Sequence, residues 1–184
     1  SFAVVKSDEL NAWAAPGGYV FITTGAIKQM EDEAQLAGVL AHEVVHITEY
    51  HMVKMLKRQQ FLEGVQEGVE ATTDKDIKEY TAAVDQGTDL LFDKGLDRRM
   101  EIEADLVGEE LAAVTGYDPT GLVRYLENIR PVSGNTGGGW LTSTHPDVTE
   151  RLMKARTKLR TDLNGITGAV AQERFQDMMR RTLE

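Results

Sequence analysis

The sequence predicts a mainly helical α+β domain with a small N-terminal β-sheet packed on one central helix. Three observations carry that reading. Short β-branched and aromatic segments are confined to the first 23 residues. A helical periodicity follows in the run EDEAQLAGVLAHEVVHITEY, and further helical segments, separated by cap and stop signals, fill the rest of the chain. At 184 residues the chain is long enough for one domain with a real core and short for two, so residues 1–184 are expected to form a single unit.

Phe2 to Val5, Asn11 to Ala15 and Tyr19 to Thr23 are the strand candidates, punctuated by Pro16-Gly17-Gly18, which marks at least one hairpin. The sheet is expected to cover the back of the central helix. Its edge strand also offers N–H and C=O groups to which an extended peptide can pair. Asp32 with Gln35 three positions later reads as a capping box that starts the central helix. That helix carries His42-Glu43-Val44-Val45-His46. Histidines four apart project from one helix face about one turn apart, so both imidazoles can reach one metal ion at about 2.0–2.1 Å, a donor pair that suits zinc. Glu43 lies about 100° round from His42, where a carboxylate can reach the attacking water without ligating the metal. Leu36, Leu40, Val44 and Ile47 form an apolar stripe away from the histidines, which predicts a helix buried along its back with its polar face turned to a cleft. The helix is expected to continue to about Gln60, and an unbroken helix would place His51 half a turn away from the metal.

Residues 61–92 hold eight acidic side chains against two lysines. A helical insertion with its charges in water is the first expectation, and a cover over the cleft the second. Arg98 to Asp105 then supplies Glu101 and Asp105 on one helix face, where one carboxylate can complete a zinc site and the other accept the Nδ1 proton of a ligand histidine. Ala104, Gly108 and Ala112, small residues at four-residue spacing, would let this helix approach the first one closely. Gly116 ends it, and Asp118-Pro119 reads as N-cap and first position of a helix to about Ile129. The stretch PVSGNTGGGW reads as a loop, and His145 stands before a proline that biases it away from helical geometry. Asp147 with Glu150 predicts a capped helix through Lys158. Residues 160–184 form a helical tail, of which Val170 to Leu183 is a charged amphipathic helix.

The composition narrows the chemistry. A formal net charge of −10 argues against nucleic acid, whose phosphates are bound by clustered Lys and Arg. The absence of cysteine excludes disulfides and thiolate metal sites, leaving His and carboxylate donors. No run approaches the roughly eighteen apolar residues of a membrane span. Ser1 is no ordinary translation start, and a leader, lipid anchor or membrane helix ahead of it is compatible with the sequence.

NAWAAPGGYVFITTGAI, AHEVVHITEYH, EIEADLVG and STHPDVTERL, in that order over Asn11 to Leu152, resemble the HtpX/Oma1/BepA-like family of zinc metallopeptidases, which includes the type 1 CAAX prenyl endopeptidase. The resemblance implies a gluzincin-type catalytic domain with one zinc ion held by His42, His46 and Glu101, and Glu43 as general base. It implies Asp105 as the carboxylate behind a zinc ligand, His145 as fourth ligand or oxyanion stabiliser, and Arg151 as its accompanying arginine. Asn11, Ala12 and Trp13 are the candidate substrate-binding residues. The membrane helices of HtpX and the prenyl protease, and the helical repeats of BepA, have no counterpart in this sequence. HExxHxxGxxH zincins are excluded, since Glu49 replaces the glycine and Met52 the third histidine. The expected activity is hydrolysis of protein or peptide substrates in periplasmic or other extracytoplasmic quality control. The alternative is a peptide-binding chaperone or assembly factor with latent, self-inhibited proteolysis. Oligomeric state is not legible.

Overall fold

The computed structural model describes residues 1–62, 96–135, 145 and 148–183. Strands β1 (Phe2–Val5), β2 (Ala12–Ala15) and β3 (Tyr19–Thr23) form one sheet in the order β1-β3-β2. The Pro16-Gly17-Gly18 turn folds β2 back antiparallel on β3 with Ala12 opposite Ile22, whereas β1 runs parallel to β3. Ala12, Ala14, Val20 and Ile22 point into the core, the inward half of a period-two alternation. A short helix α1 (Thr24–Lys28) follows at once, capped by the Thr23 hydroxyl, which accepts the Ala26 N–H.

Helix α2 (Glu33–Thr48) is the axis of the domain. Asp32 caps it by accepting the Gln35 N–H at 2.9 Å, while the Gln35 amide oxygen accepts the N–H of Glu31 rather than that of the cap residue. Asp32 is also ion-paired to Arg124. Around α2 pack α4 (Arg98–Val114), α5 (Gly121–Asn135) and β2. The contact with α5 is a backbone approach: a Cβ on Gly121 would lie 2.0 Å from the Ala34 carbonyl oxygen, a distance no side chain survives. Leu122, Tyr125, Leu126 and Ile129 of α5 build the main core with Val39, with Leu152 and Ala155 of α6 (Val148–Thr161), and with Phe175 of α7 (Gln172–Leu183).

Three expectations are corrected. The central helix does not run to Gln60: it ends at Thr48, Tyr50 takes a left-handed φ of 54°, and a new helix α3 (His51–Leu62) begins. Tyr50 serves both helices, donating its N–H to the Ile47 carbonyl and accepting the Lys54 N–H, which offsets the cost of that conformation for a residue with a Cβ. The stripe Leu36, Leu40, Val44 and Ile47 is only half-buried, and the deepest face of α2 carries Gln35, Val39, His42, Glu43 and His46. The reason is that α4 and α5 close over the polar face, so side chains on that face must satisfy one another. Lastly, α5 starts at Gly121, after a turn in which Asp118 accepts the Thr120 N–H, and its backbone stays helical beyond Pro131 to Asn135. Most of the acidic stretch 61–92 lies outside the described residues.

Glu109 on α4 is fully shielded from solvent, and neither carboxyl oxygen has a hydrogen-bond partner among the described residues. Burial, aided by the charge of Asp105, pushes its carboxyl up to about 9. Between the ordinary value of 4.5 and about 9 the unfolded chain ionises Glu109 and the folded chain does not, so stability falls as pH rises through that window. Glu109→Gln should therefore melt increasingly above the parent as pH rises from 5 to 9, by about 2–4 °C for each kcal/mol recovered. Thermal melts at constant ionic strength check this, and a difference independent of pH would refute it.

Candidate metal centre

His42 and His46 share one face of α2 and turn Nε2 towards each other, 2.9 Å apart. Glu101, in the first turn of α4, places Oε2 3.7 Å from His42 Nε2 and Oε1 3.5 Å from His46 Nε2. His145, just ahead of α6, puts Nδ1 2.9 Å from both Glu101 oxygens and 3.3 Å from His42 Nε2. Donor atoms of these four buried residues all lie within 4.8 Å of one another. Bonds of about 2.05 Å to a tetrahedral ion require donors about 3.3 Å apart, and the observed separations straddle that value. Two imidazoles, a carboxylate and a third imidazole are also the donor types zinc takes.

The close approach of α4 to α2 rests on Gly108, where a Cβ would sit 3.1 Å from the His42 backbone nitrogen. Ala104 and Ala112, one turn to either side, are buried in the same seam. This packing brings Asp105 Oδ1 to 2.9 Å from His42 Nδ1, at an angle short of a full hydrogen bond. Arg151 of α6 is fully buried and grips Asp105 with two hydrogen bonds of 2.7 and 2.8 Å, while its Nη1 lies 2.9 Å from Glu101 Oε2 and 3.5 Å from the His145 carbonyl oxygen.

Burial alone would raise both carboxyls, but the opposing charges win: His145 and Arg151 bring Glu101 down to about 2, and Arg151 with His42 holds Asp105 well below the carboxylate range. Glu43 goes the other way. Burial raises its carboxyl above the ordinary value against the pull of His145 and His42, and neither of its oxygens has a hydrogen-bond partner among the described residues. Burial and the neighbouring His42 hold His46 neutral. His145 loses basicity to burial and regains more from the Glu101 and Glu43 carboxylates.

Beside these groups opens a cleft of about 240 Å³, walled by Trp13, Ala14, Ala15, Ile47, Tyr50, Met52, Val53 and Leu96 with Glu43, His46 and His145 at its floor. The structure thus gathers His42, Glu43, His46, Glu101, Asp105, His145 and Arg151. Arg151 is a clamp on two carboxylates, a closer involvement than an arginine accompanying His145 would have. Of the substrate-binding candidates only Trp13 lines the cleft; Ala12 is in the core and Asn11 is buried. Sequence reasoning missed His51. It is fully buried with Nδ1 2.8 Å from His46 Nδ1, because the turn at Tyr50 undoes the half-turn offset that an unbroken helix would impose.

The sequence model of "Peptidase family M48" matches residues 1–159. The chain belongs to that family. M48 metallopeptidases use zinc, and the donor set above fits that ion. Among the relatives of this M48 chain is the "Mitochondrial metalloendopeptidase OMA1" of Arabidopsis thaliana, 29% identical over 161 residues, which are 88% of this chain and 31% of that one. The "Beta-barrel assembly-enhancing protease" of Escherichia coli (strain K12) is 27% identical over 174 residues, 85% of this chain and 34% of the relative. "Metalloprotease YcaL" of the same organism is 24% identical over 159 residues, 86% of this chain and 62% of the relative. The chain spans about a third of the length of the first two.

Removing the buried cation of this cluster should be costly. Arg151→Met would leave Asp105 and Glu101 without their arginine and should destabilise the protein in chelator by about 3–5 kcal/mol. Urea unfolding measures it, and a loss below about 1 kcal/mol, the range of an exposed ion pair, would refute the clamp.

Proposed function

We propose that this chain is the catalytic part of a zinc-dependent endopeptidase that hydrolyses extended segments of protein substrates in extracytoplasmic quality control. The observation that carries the reading is Glu43: a buried carboxyl with no hydrogen-bond partner among the described residues, beside a four-donor set of tetrahedral spacing and on the floor of an apolar cleft. His42, His46 and Glu101 are the proposed ligands of one zinc ion. Zinc held there would polarise the scissile carbonyl and acidify the attacking water. Glu43, made more basic than a solvated carboxylate by its burial, takes the proton of that water and returns it to the leaving amine. Asp105, fixed by Arg151, would hold His42 at Nδ1 and leave its Nε2 to the metal.

The cleft supports the choice of substrate. Its walls of Trp13, Ile47, Met52 and Leu96 suit an apolar side chain next to the scissile bond, and such side chains are presented by unfolded rather than folded proteins. The extracytoplasmic placement draws on the relative named as beta-barrel assembly-enhancing. No helix among the described residues is long and apolar enough to cross a membrane.

A second reading, a peptide-binding assembly factor with latent proteolysis, is favoured by one observation: His145 Nδ1 already stands within the donor set. As a fourth ligand at rest it would fill the position a catalytic zinc keeps open. His145→Ala should then raise turnover of an unfolded protein substrate. A fall of about 10²-fold would instead make His145 an oxyanion donor, and an unchanged rate would remove both roles.

Two further outcomes test the main reading. Glu43→Gln should keep zinc and fold yet lose at least about 10²-fold in hydrolysis, read by mass spectrometry of new termini with and without chelator. Parent-like cleavage by the variant would exclude Glu43 as the base, and loss of cleavage without loss of biological activity would favour the assembly-factor reading. Glu101→Ala should lose the metal, and full zinc occupancy in that variant would refute the ligand assignment.

A further inference from the structure

His51 takes no part in the chemistry just described, yet it is fully shielded from solvent and sits against a proposed ligand. Its Nδ1 lies 2.8 Å from Nδ1 of His46, and its Nε2 lies 3.3 Å from Oε2 of Glu103 on α4. His46 turns Nε2 to His42 and Glu101. A nitrogen that ligates a metal carries no proton, so the neutral ring must carry its proton on Nδ1. That N–H needs an acceptor, usually a carboxylate, a carbonyl or water. Among the described residues the acceptor that reaches it is the imidazole of His51. To accept at Nδ1, His51 must keep its own proton on Nε2, and a carboxylate beside Nε2 selects that tautomer. The order of donation is then His46 Nδ1–H to His51 Nδ1, and His51 Nε2–H to Glu103.

We propose that His51, oriented by Glu103, is a positioning residue that fixes the tautomer and ring orientation of His46 and so presents His46 Nε2 to zinc. The inference rests on the reading of His46 as a ligand. It also gives the left-handed Tyr50 a purpose, since without that break His51 would sit half a turn away. Glu103 is half-exposed, so water can partly replace it, whereas nothing from solvent replaces His51. The two residues should therefore contribute unequally.

The test is zinc affinity of the full chain, by competition with a chromophoric chelator, together with long-range ¹H–¹⁵N NMR of the histidine rings. His51→Leu should weaken zinc binding about 10–100-fold, and Glu103→Ala should weaken it less. His51→Gln, whose carbonyl can accept from His46 and whose amide can donate to Glu103, should restore affinity close to that of the parent. The parent spectrum should show the proton of His46 on Nδ1 and that of His51 on Nε2. Parent-like affinity in His51→Leu, or a His51→Gln variant as weak as His51→Leu, would overturn the proposal. Should His51→Leu fail to fold, the His51→Gln affinity and the parent tautomers decide: weak binding, or a His51 proton on Nδ1, overturns it. His46→Ala separates this from the underlying reading. Retained zinc there would remove the ligand assignment and the relay together, and lost zinc beside a parent-like His51→Leu would remove the relay alone.

Discussion

The arrangement depends on one buried cation. Glu101 and Asp105 stand one turn apart on α4, and both are almost completely shielded from solvent. Two carboxylates desolvated side by side on one helix would repel each other, and each would lose its hydration. Arg151 answers both with a single planar group: a forked pair of hydrogen bonds to Asp105 and a contact of 2.9 Å to Glu101. Its presence ties the rotation of α4 to the position of α6. With α4 held, Asp105 meets the outer nitrogen of His42 and Glu101 meets the inner nitrogens of both histidines on α2. Orientation is thus passed from α6 to α4 to α2 through side chains that are all buried.

Close helix approach makes that relay short enough to work. Gly108 lets the backbone of α4 come against His42 itself, and Gly121 does the same for α5 against the start of α2. The central helix is therefore enclosed on its polar side, which is why its histidines and Glu43 are buried rather than lining an open groove. Among the described residues, the cleft beside β2 and the α2–α3 turn reaches Glu43 and His46. Glu43 gains its basicity from that enclosure, since the same walls that exclude water leave its charge poorly solvated.

Much of this was legible in the sequence, for identifiable reasons. The three strands, the Asp32 cap, the four-residue spacing of His42 and His46 and that of Glu101 and Asp105 are local periodicities, and the small-residue seam at Ala104, Gly108 and Ala112 announced a close helix contact. What failed were inferences that needed tertiary information. The stripe from Leu36 to Ile47 looked like the buried face because it is apolar, yet burial went to the polar face, where Glu101 and Asp105 of α4 meet the two histidines. The break at Tyr50 carries no glycine or proline, so no punctuation in the sequence announces it, and the placement of His51 was lost with it. Arg151 is one of many charged residues on its helix; the resemblance singled it out, but its grip on Asp105 and Glu101 follows only from the folded position of α4.

The donors assembled here come from distant parts of the chain: His42 and His145 are 103 residues apart, and Glu101 and His145 are 44 apart. An ion shared among them would act as a cross-link that closes large loops in the polymer, and the entropy of closing a loop grows only with the logarithm of its length, by about 0.6 kcal/mol for each doubling. The entropic contribution of such a clip would therefore depend only weakly on the length of chain between its donors.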